Sequence, residues 1–94
     1  MAQVRWSLTA SADLQDIEDF IARDSVLHAI TFIDRIVEST EMLLETPHIG
    51  RVVPEFNRHD LREIIFRGYR IVYLCRTMRS RFSASCMVRE ICSN

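Results

Sequence analysis

The stretch that decides the fold reads Leu61-Arg62-Glu63-Ile64-Ile65-Phe66-Arg67-Gly68-Tyr69-Arg70-Ile71-Val72-Tyr73-Leu74-Cys75-Arg76. Two runs rich in β-branched and aromatic residues, 61–67 and 69–76, flank Gly68, which is a natural turn position between two strands. A weaker run, 82–88, follows a polar turn around residues 77–80. Three consecutive strand-like runs with short connections predict an antiparallel β-meander.

The residues before this stretch predict a short strand and two helices. Residues 3–7 have a strand-like pattern, and apolar side chains then recur at helical spacing from about Thr9 to Arg23, with Ser7 or Thr9 as the cap. Ser25 is the expected cap of a second helix, whose broad apolar stripe suits packing against both its partner helix and a sheet. We therefore expect an αα-hairpin that covers one face of the meander.

Together these patterns predict an α+β fold: an N-terminal short strand, an αα-hairpin, then an antiparallel β-meander of three strands. Pairing of the first strand with the meander would give a four-stranded sheet. A chain of 94 residues has room for one hydrophobic core, so residues 1–94 are expected to form a single domain.

The composition is typical of a globular protein, with 48% hydrophobic and 27% charged residues. No apolar run approaches the roughly 20 residues that span a membrane, and the N-terminus lacks the pattern of a signal peptide. The sequence therefore predicts a cytoplasmic protein that has no membrane partner.

The charges are unevenly divided along the chain. Residues 51–94 carry nine arginines and four acids, a net charge of +5, whereas residues 1–50 carry three arginines and nine acids, a net charge of −6. The overall net charge of −1 argues against a generally basic nucleic-acid binder. Two interpretations stay open: the basic half faces RNA, a ribosome or an acidic protein segment, or the two halves complement each other across the fold.

The cysteines and histidines show no spacing typical of a metal site. The three cysteines are Cys75, Cys86 and Cys92, and the three histidines are His28, His48 and His59. An odd number of cysteines without a C-x-x-C motif predicts reduced thiols rather than a disulfide framework or a metal site. The histidines are expected on the surface or in loops.

Four stretches resemble, in the same order, the RelE/ParE family of small toxins. Trp6-Ser7 with residues 12–17 resembles the start of the family's first helix, and residues 20–25 with Ala29 and Phe32 resemble its helix-to-helix junction. Residues 47–55 resemble the P-x-x-G-R-x-V-P-E loop of the ParE and plasmid-stabilisation branch. Leu61-Arg62-Glu63 followed by residues 68–73 resembles the central hairpin of the whole family. The matches cover roughly residues 4–76.

The resemblance implies a toxin component of a bacterial type II toxin–antitoxin, or plasmid stabilisation, system. Such a toxin is neutralised by a cognate antitoxin that wraps an amphipathic or extended segment around it in a hetero-oligomer. ParE-like members inhibit DNA gyrase, whereas RelE-like members cleave messenger RNA in the ribosomal A site. Neither activity needs a metal or an organic cofactor.

The resemblance also implies a set of candidate catalytic residues if the chain is RelE-like. Nuclease members place a phosphate-contacting arginine at the position of Arg70, a basic residue at that of Arg62 and another near Arg89. These three guanidinium groups would then hold the scissile phosphate. The alternatives are an ion pair for Arg70 that orients the sheet edge, and a solvated strand face for Arg62, beside Asp60 and Glu63.

The C-terminal tail favours the ParE branch. Nuclease members carry a Tyr, or a His with a Tyr, in this tail, whereas the present chain has neither after Tyr73. Tyr69 and Tyr73 are themselves expected on the core face of their strand, because they lie four positions apart and side chains alternate between the two faces with a period of two. A ParE-like gyrase inhibitor is therefore favoured, with two alternatives: a RelE-like, metal-independent endoribonuclease that acts on the ribosome, and an inactive toxin-like binding module. Residues 82–88 are richer in Ser and Cys than the family's last strand, which raises the prospect of an altered toxin.

Overall fold

The computed structural model describes residues 3–56, 58, 60–77 and 84–93. The helices are α1 (Leu8–Ala22) and α2 (Val26–Glu41), and a 3₁₀ turn (Met42–Leu44) follows α2. The strands are β1 (Gln3–Trp6), β2 (Arg51–Val52), β3 (Leu61–Phe66), β4 (Tyr69–Thr77) and β5 (Ala84–Ser93). The predicted order of strand, helical hairpin and meander is thus confirmed. Thr77, the first residue of the predicted polar turn, is the last residue of β4; the rest of that turn and the start of the third run lie outside the described residues.

The sheet has five strands in the order β1-β5-β4-β3-β2. Strands β3, β4 and β5 form the antiparallel meander, and β1 pairs with β5 in parallel. The prediction of four strands was one strand short, because Arg51 and Val52 pair with Glu63 and Arg62 as a fifth strand. Two residues are too few to show the period-2 pattern by which a strand is recognised in sequence.

A serine hydroxyl caps the N-terminus of each helix. The Ser7 hydroxyl accepts a hydrogen bond from the Ala10 N–H at 3.0 Å, and the Ser25 hydroxyl accepts one from the His28 N–H at 3.2 Å. Each satisfies a backbone donor that has no partner inside its helix. Helix α1 begins one residue earlier than Thr9, since Ser7 rather than Thr9 is the cap.

The two faces of the sheet have different surroundings. On the helix-covered face, α1 and α2 bury a core against β4 and β5; its fully or nearly buried residues are Ala10, Ile17, Ile36, Ile71, Val88 and Ile91. The opposite face, which we call the helix-free face, holds a smaller cluster of Val53, Leu61 and Val72. Because side chains alternate along a strand, Ile71 and Val72 belong to different clusters although they are neighbours.

The turn between β3 and β4 is a two-residue hairpin loop. Arg67 has φ of 47° and Gly68 has φ of 85°, and Phe66 pairs with Tyr69. Positive φ at both central residues gives the turn whose twist matches that of the flanking strands. The prediction of a turn at Gly68 is confirmed, and this turn sets the register of the hairpin.

Both tyrosines lie on the helix-covered face, as predicted. Tyr69 packs its ring edge-on against Phe32, with 5.7 Å between ring centroids, and Tyr73 is fully buried beside Leu43. The Tyr73 hydroxyl accepts a hydrogen bond from the Gly50 N–H at 2.9 Å and donates one to the Pro47 carbonyl at 3.0 Å. Tyr73 therefore fixes the loop that leads into β2. Its burial raises the pKa of the phenol above the usual 10.0.

Gly50 is required at this point because of a close approach rather than a special backbone angle. A Cβ atom at Gly50 would lie 2.5 Å from both the Tyr73 hydroxyl and the Glu63 carbonyl oxygen. Real Cβ atoms do not come so close to other heavy atoms, so a larger residue would displace the loop from the sheet.

The expectation that all cysteines are reduced is wrong for one pair. Cys75 of β4 and Cys86 of β5 stand opposite each other in the ladder and are joined by a disulfide, whereas Cys92 is free and half-buried. The pairing depends on the register of two strands, which no C-x-x-C spacing reveals. His28 and His48 are exposed, as predicted; His59 lies outside the described residues.

Removal of the Tyr73 hydroxyl should destabilise the protein. Tyr73→Phe would leave the buried Gly50 N–H without its acceptor, which we expect to lower the free energy of unfolding by about 1–3 kcal/mol, measured by urea denaturation. Tyr69→Phe is the control, because no hydrogen bond joins its hydroxyl to a described residue, and it should change stability by less than about 0.5 kcal/mol. Equal losses in both variants would contradict this role for Tyr73.

Candidate functional site

A buried carboxylate lies at the centre of the helix-free face. The side chain of Glu63 is 0% exposed, and its two oxygens contact the Nε atoms of Arg51 and Arg70. Strand register explains the cluster: Arg51 stands directly opposite Glu63, and Arg70 stands opposite Ile65, two residues further along the same face of β3. One carboxylate thus links three strands, β2, β3 and β4.

Arg70 has a second acidic partner in the loop after β2. Its Nη2 atom donates a hydrogen bond to Glu55 Oε2 at 2.8 Å. This bond lowers the pKa of Glu55 and raises that of Arg70. The Glu55 side chain is 60% exposed, so solvent weakens this outer pair, whereas the inner contact with Glu63 is shielded. Arg70 is therefore held by two carboxylates, in agreement with the ion-pair interpretation of this residue.

Arg62 lies on the other face of the sheet. It stands opposite Tyr73 in the β3–β4 ladder, and its Nη1 atom donates a hydrogen bond to the Gly50 carbonyl at 2.9 Å. The side chain is half-buried, so the alternative of a solvated strand face is wrong for Arg62. Its guanidinium supports the same loop that Tyr73 holds.

Arg89 is the extra residue of a β-bulge in β5. Val72 pairs with Glu90 and Tyr73 pairs with Val88, which leaves Arg89 without a direct partner on β4. The bulge is held by the residue that caps α1, since the Ser7 hydroxyl donates a hydrogen bond to the Arg89 carbonyl at 2.6 Å. Bulges redirect side chains at functional edges of sheets. Sequence reasoning selected Arg89 but could not show the bulge.

The exposed Arg89 side chain borders a cavity of about 370 Å³. The cavity is lined by Thr9, Phe56, Arg58, Leu61, Val72, Arg89 and Glu90. Leu61 and Val72 belong to the helix-free face, so Arg89 and Arg70 share this face and Arg62 does not. Of the three arginines predicted as a catalytic set, the structure brings two to one face and separates the third.

Exposed apolar side chains accompany the arginines on this face. Phe56, Ile65 and Met87 are 54%, 50% and 38% exposed. The sequence did not identify Phe56 or Ile65 as surface residues. Phe56 lies in the loop after β2 and Ile65 lies within β3, and no local pattern shows that these apolar side chains are exposed. Arginines beside exposed aromatic and aliphatic groups are typical of protein interfaces. Among the described residues, no group of three or more His, Cys, Asp or Glu side chains is placed to hold a metal ion.

The fold is shared with chains of solved structures. One of nine matching chains of solved structures is described as "Chromosomal ParDE TA system from P. aeruginosa"; it aligns with a TM-score of 0.73 and 18% identity, over 99% of this chain and 96% of that one. At this identity the likeness shows the fold, a two-helix, five-stranded α+β architecture. No curated protein matches the sequence.

The family follows from the sequence. The family described as "ParE toxin of type II toxin-antitoxin system, parDE" matches residues 4–79, which is more than half of the chain. The chain therefore belongs to the ParE toxin family and is a type II toxin, and the resemblance to the RelE/ParE group is confirmed. No helix in the described part of the chain is long and apolar enough to cross a membrane.

Neutralising Glu63 should weaken the whole sheet. Glu63→Gln leaves the guanidinium of Arg70 without its buried counter-charge, and we expect the free energy of unfolding to fall by about 3 kcal/mol in urea denaturation. Asp60→Asn is the matched control, because it breaks the exposed Arg58–Asp60 pair and should cost less than about 1 kcal/mol. A Glu63→Gln variant as stable as the control would refute a structural role for the buried cluster.

Proposed function

We propose that this toxin inhibits DNA gyrase by a non-covalent contact and is neutralised by a cognate antitoxin. The observation that carries the choice of target is the separation of Arg62 from Arg70. Arg62 is bonded to a loop carbonyl on the helix-covered face, whereas Arg70 is bound to Glu63 and Glu55 on the other. Three arginines in this arrangement do not converge on one phosphate group.

The tyrosines support the same choice. Metal-independent RNA cleavage needs a group that accepts a proton from the attacking hydroxyl and one that protonates the leaving oxygen. Tyr73 uses its hydroxyl to hold Gly50 and Pro47, and Tyr69 packs on Phe32 under the helices. Neither tyrosine lies on the face that carries Arg70 and Arg89. The chain has two tyrosines, so no tyrosine can transfer a proton beside those arginines.

An inhibitor that binds a protein target needs only a complementary surface. The helix-free face offers one: arginines held in place by carboxylates and bulge geometry, next to the exposed side chains of Phe56, Ile65 and Met87. Arginine and aromatic residues contribute most to the binding energy of protein interfaces. We infer that Arg89, with Phe56, forms the centre of the contact with gyrase.

The antitoxin is the second partner in the proposal. Residues 51–94 have a net charge of +5, and apolar residues are exposed on both faces of the molecule. An antitoxin segment with carboxylates and apolar side chains would cover such a surface and would stabilise the toxin by mass action. Growth inhibition and a cytoplasmic location follow if gyrase is the target, and we propose plasmid stabilisation as the role of the toxin together with its antitoxin.

Induced expression in a bacterial host distinguishes the targets. Labelled thymidine and amino-acid incorporation should be followed in parallel, together with supercoiling by purified gyrase. We expect DNA synthesis to fail first and supercoiling to be inhibited by the purified toxin. Earlier arrest of protein synthesis, with cleavage of messenger RNA on ribosomes, would favour the nuclease alternative and a role for Arg62, Arg70 and Arg89. A folded protein that changes neither would be a binding module.

A substitution at the bulge tests the contact surface. Arg89→Ala removes an exposed side chain that forms no ion pair with a described residue, so the melting temperature should stay within about 2 °C. Inhibition of gyrase should weaken roughly tenfold or more, as for other arginines at interface centres. Arg35→Ala, on the exposed side of α2, is the control and should inhibit like the unaltered toxin. Full inhibition by a folded Arg89→Ala variant would remove this residue from the proposed contact.

A further inference from the structure

The disulfide joins the two longest strands of the sheet. Cys75 and Cys86 are register partners in β4 and β5, and ladder pairs continue on both sides of them, from Leu74–Met87 to Arg76–Ser85. The strands therefore stay paired when the bond is reduced. Because the ladder holds the two sulfur atoms face to face, the thiols have a high effective concentration towards each other and can form the bond again.

The exposure of the pair decides which sulfur can react with a reagent. Cys75 is half-buried, whereas Cys86 is 1% exposed and packs beside Leu43 under the helices. Exchange with a small disulfide therefore begins at Cys75, since the thiolate that attacks must be accessible. A groove of about 220 Å³ beside the pair is lined by Arg5, Arg76 and Ser85 among others.

Cys92 has no cysteine partner. It lies opposite Arg70 near the end of β5, and no cysteine faces it. Burial, with a smaller contribution from Glu90, raises the pKa of its thiol. A raised pKa lowers the fraction of reactive thiolate, so Cys92 is expected to stay reduced while the pair reacts.

We propose that Cys75 and Cys86 form a reversible redox switch that stiffens the β4–β5 hairpin and the groove beside it. The oxidant is a low-molecular-weight disulfide such as oxidised glutathione. The Cys75 thiolate attacks one sulfur of this disulfide, and a mixed disulfide forms as the first small thiolate leaves. The Cys86 thiolate then attacks the Cys75 sulfur and expels the second. Two electrons pass from the cysteines to the reagent, and the two protons lost by the cysteines appear on the two small thiols.

The oxidised bond has two physical consequences. It limits the freedom of the unfolded chain between positions 75 and 86, which stabilises the folded toxin. It also fixes the spacing of Arg76 and Ser85, which follow and precede the two cysteines and line the groove. The effect on gyrase inhibition rests on the proposed function, whereas the effect on stability does not.

The test uses the full-length toxin equilibrated in buffers of graded reduced-to-oxidised glutathione ratio. Free thiols are counted by alkylation and mass spectrometry, and melting is measured on the same samples. We expect a single transition in which two thiols are lost together, in the unaltered chain and in Cys92→Ser alike. The oxidised form should melt roughly 5–10 °C above the reduced form. Cys75→Ser and Cys86→Ser should show neither the transition nor the shift in melting.

The outcomes separate this proposal from the choice of target. A pair that stays reduced, or stays oxidised, at every glutathione ratio would overturn the switch, as would equal melting of the two forms. Supercoiling assays on both forms add the functional readout: a difference of at least about threefold in inhibitory concentration supports the switch, and equal inhibition by the two forms overturns its regulatory role. Failure of both forms to inhibit gyrase would instead count against the proposed function, while the thiol counts and melting still decide the switch.

Discussion

The contact of the Glu63 carboxylate with Arg51 and Arg70 is the interaction on which the helix-free face depends. A carboxylate with no exposed area is costly unless it is paired, and here each oxygen has its own guanidinium. Since the three residues belong to β2, β3 and β4, the two-residue strand β2 is attached to the sheet by charge as well as by its ladder. The loop after β2 then brings Glu55 to the outer side of Arg70.

On the helix-covered face of the same strands, two side chains hold the loop that precedes β2. Tyr73 and Arg62, which are ladder partners, both bind the segment of residues 47–50, Tyr73 through its hydroxyl and Arg62 through its guanidinium. The segment can approach this closely only because Gly50 has no Cβ atom. The loop that resembles the ParE branch of the family is thus shaped by contacts on both faces of the central hairpin, which explains why its Pro, Gly and Arg residues occur together.

Much of the fold could be predicted because its signals are local. Helical periodicity, the serine caps and the turn at Gly68 depend on residues close in sequence, and each of these predictions is confirmed. The short strand β2, the bulge at Arg89 and the Cys75–Cys86 bond depend on which residues face each other across strands, and no local pattern encodes them. The positions of Arg62 and Arg70 could have been predicted in part. A two-residue turn fixes the register of β3 and β4, and alternation of side chains along each strand then places the two arginines on opposite faces of the sheet.

The face of the sheet on which each arginine lies also limits the activities that this fold can support. A nuclease site on this sheet needs its arginines and its proton-transfer groups on one face. The register of β3, β4 and β5 must therefore place all of these side chains on the same face. Here Arg70 is neutralised by acids and Arg62 supports a loop, while Arg89, Phe56, Ile65 and Met87 are among the exposed groups of the helix-free face. These groups suit contact with a protein surface, where shape and desolvation supply the energy and no acid–base pair is needed. A toxin that poisons its target by binding can therefore use its arginines to hold the sheet together, which a toxin that cuts RNA cannot do without losing its phosphate-binding groups.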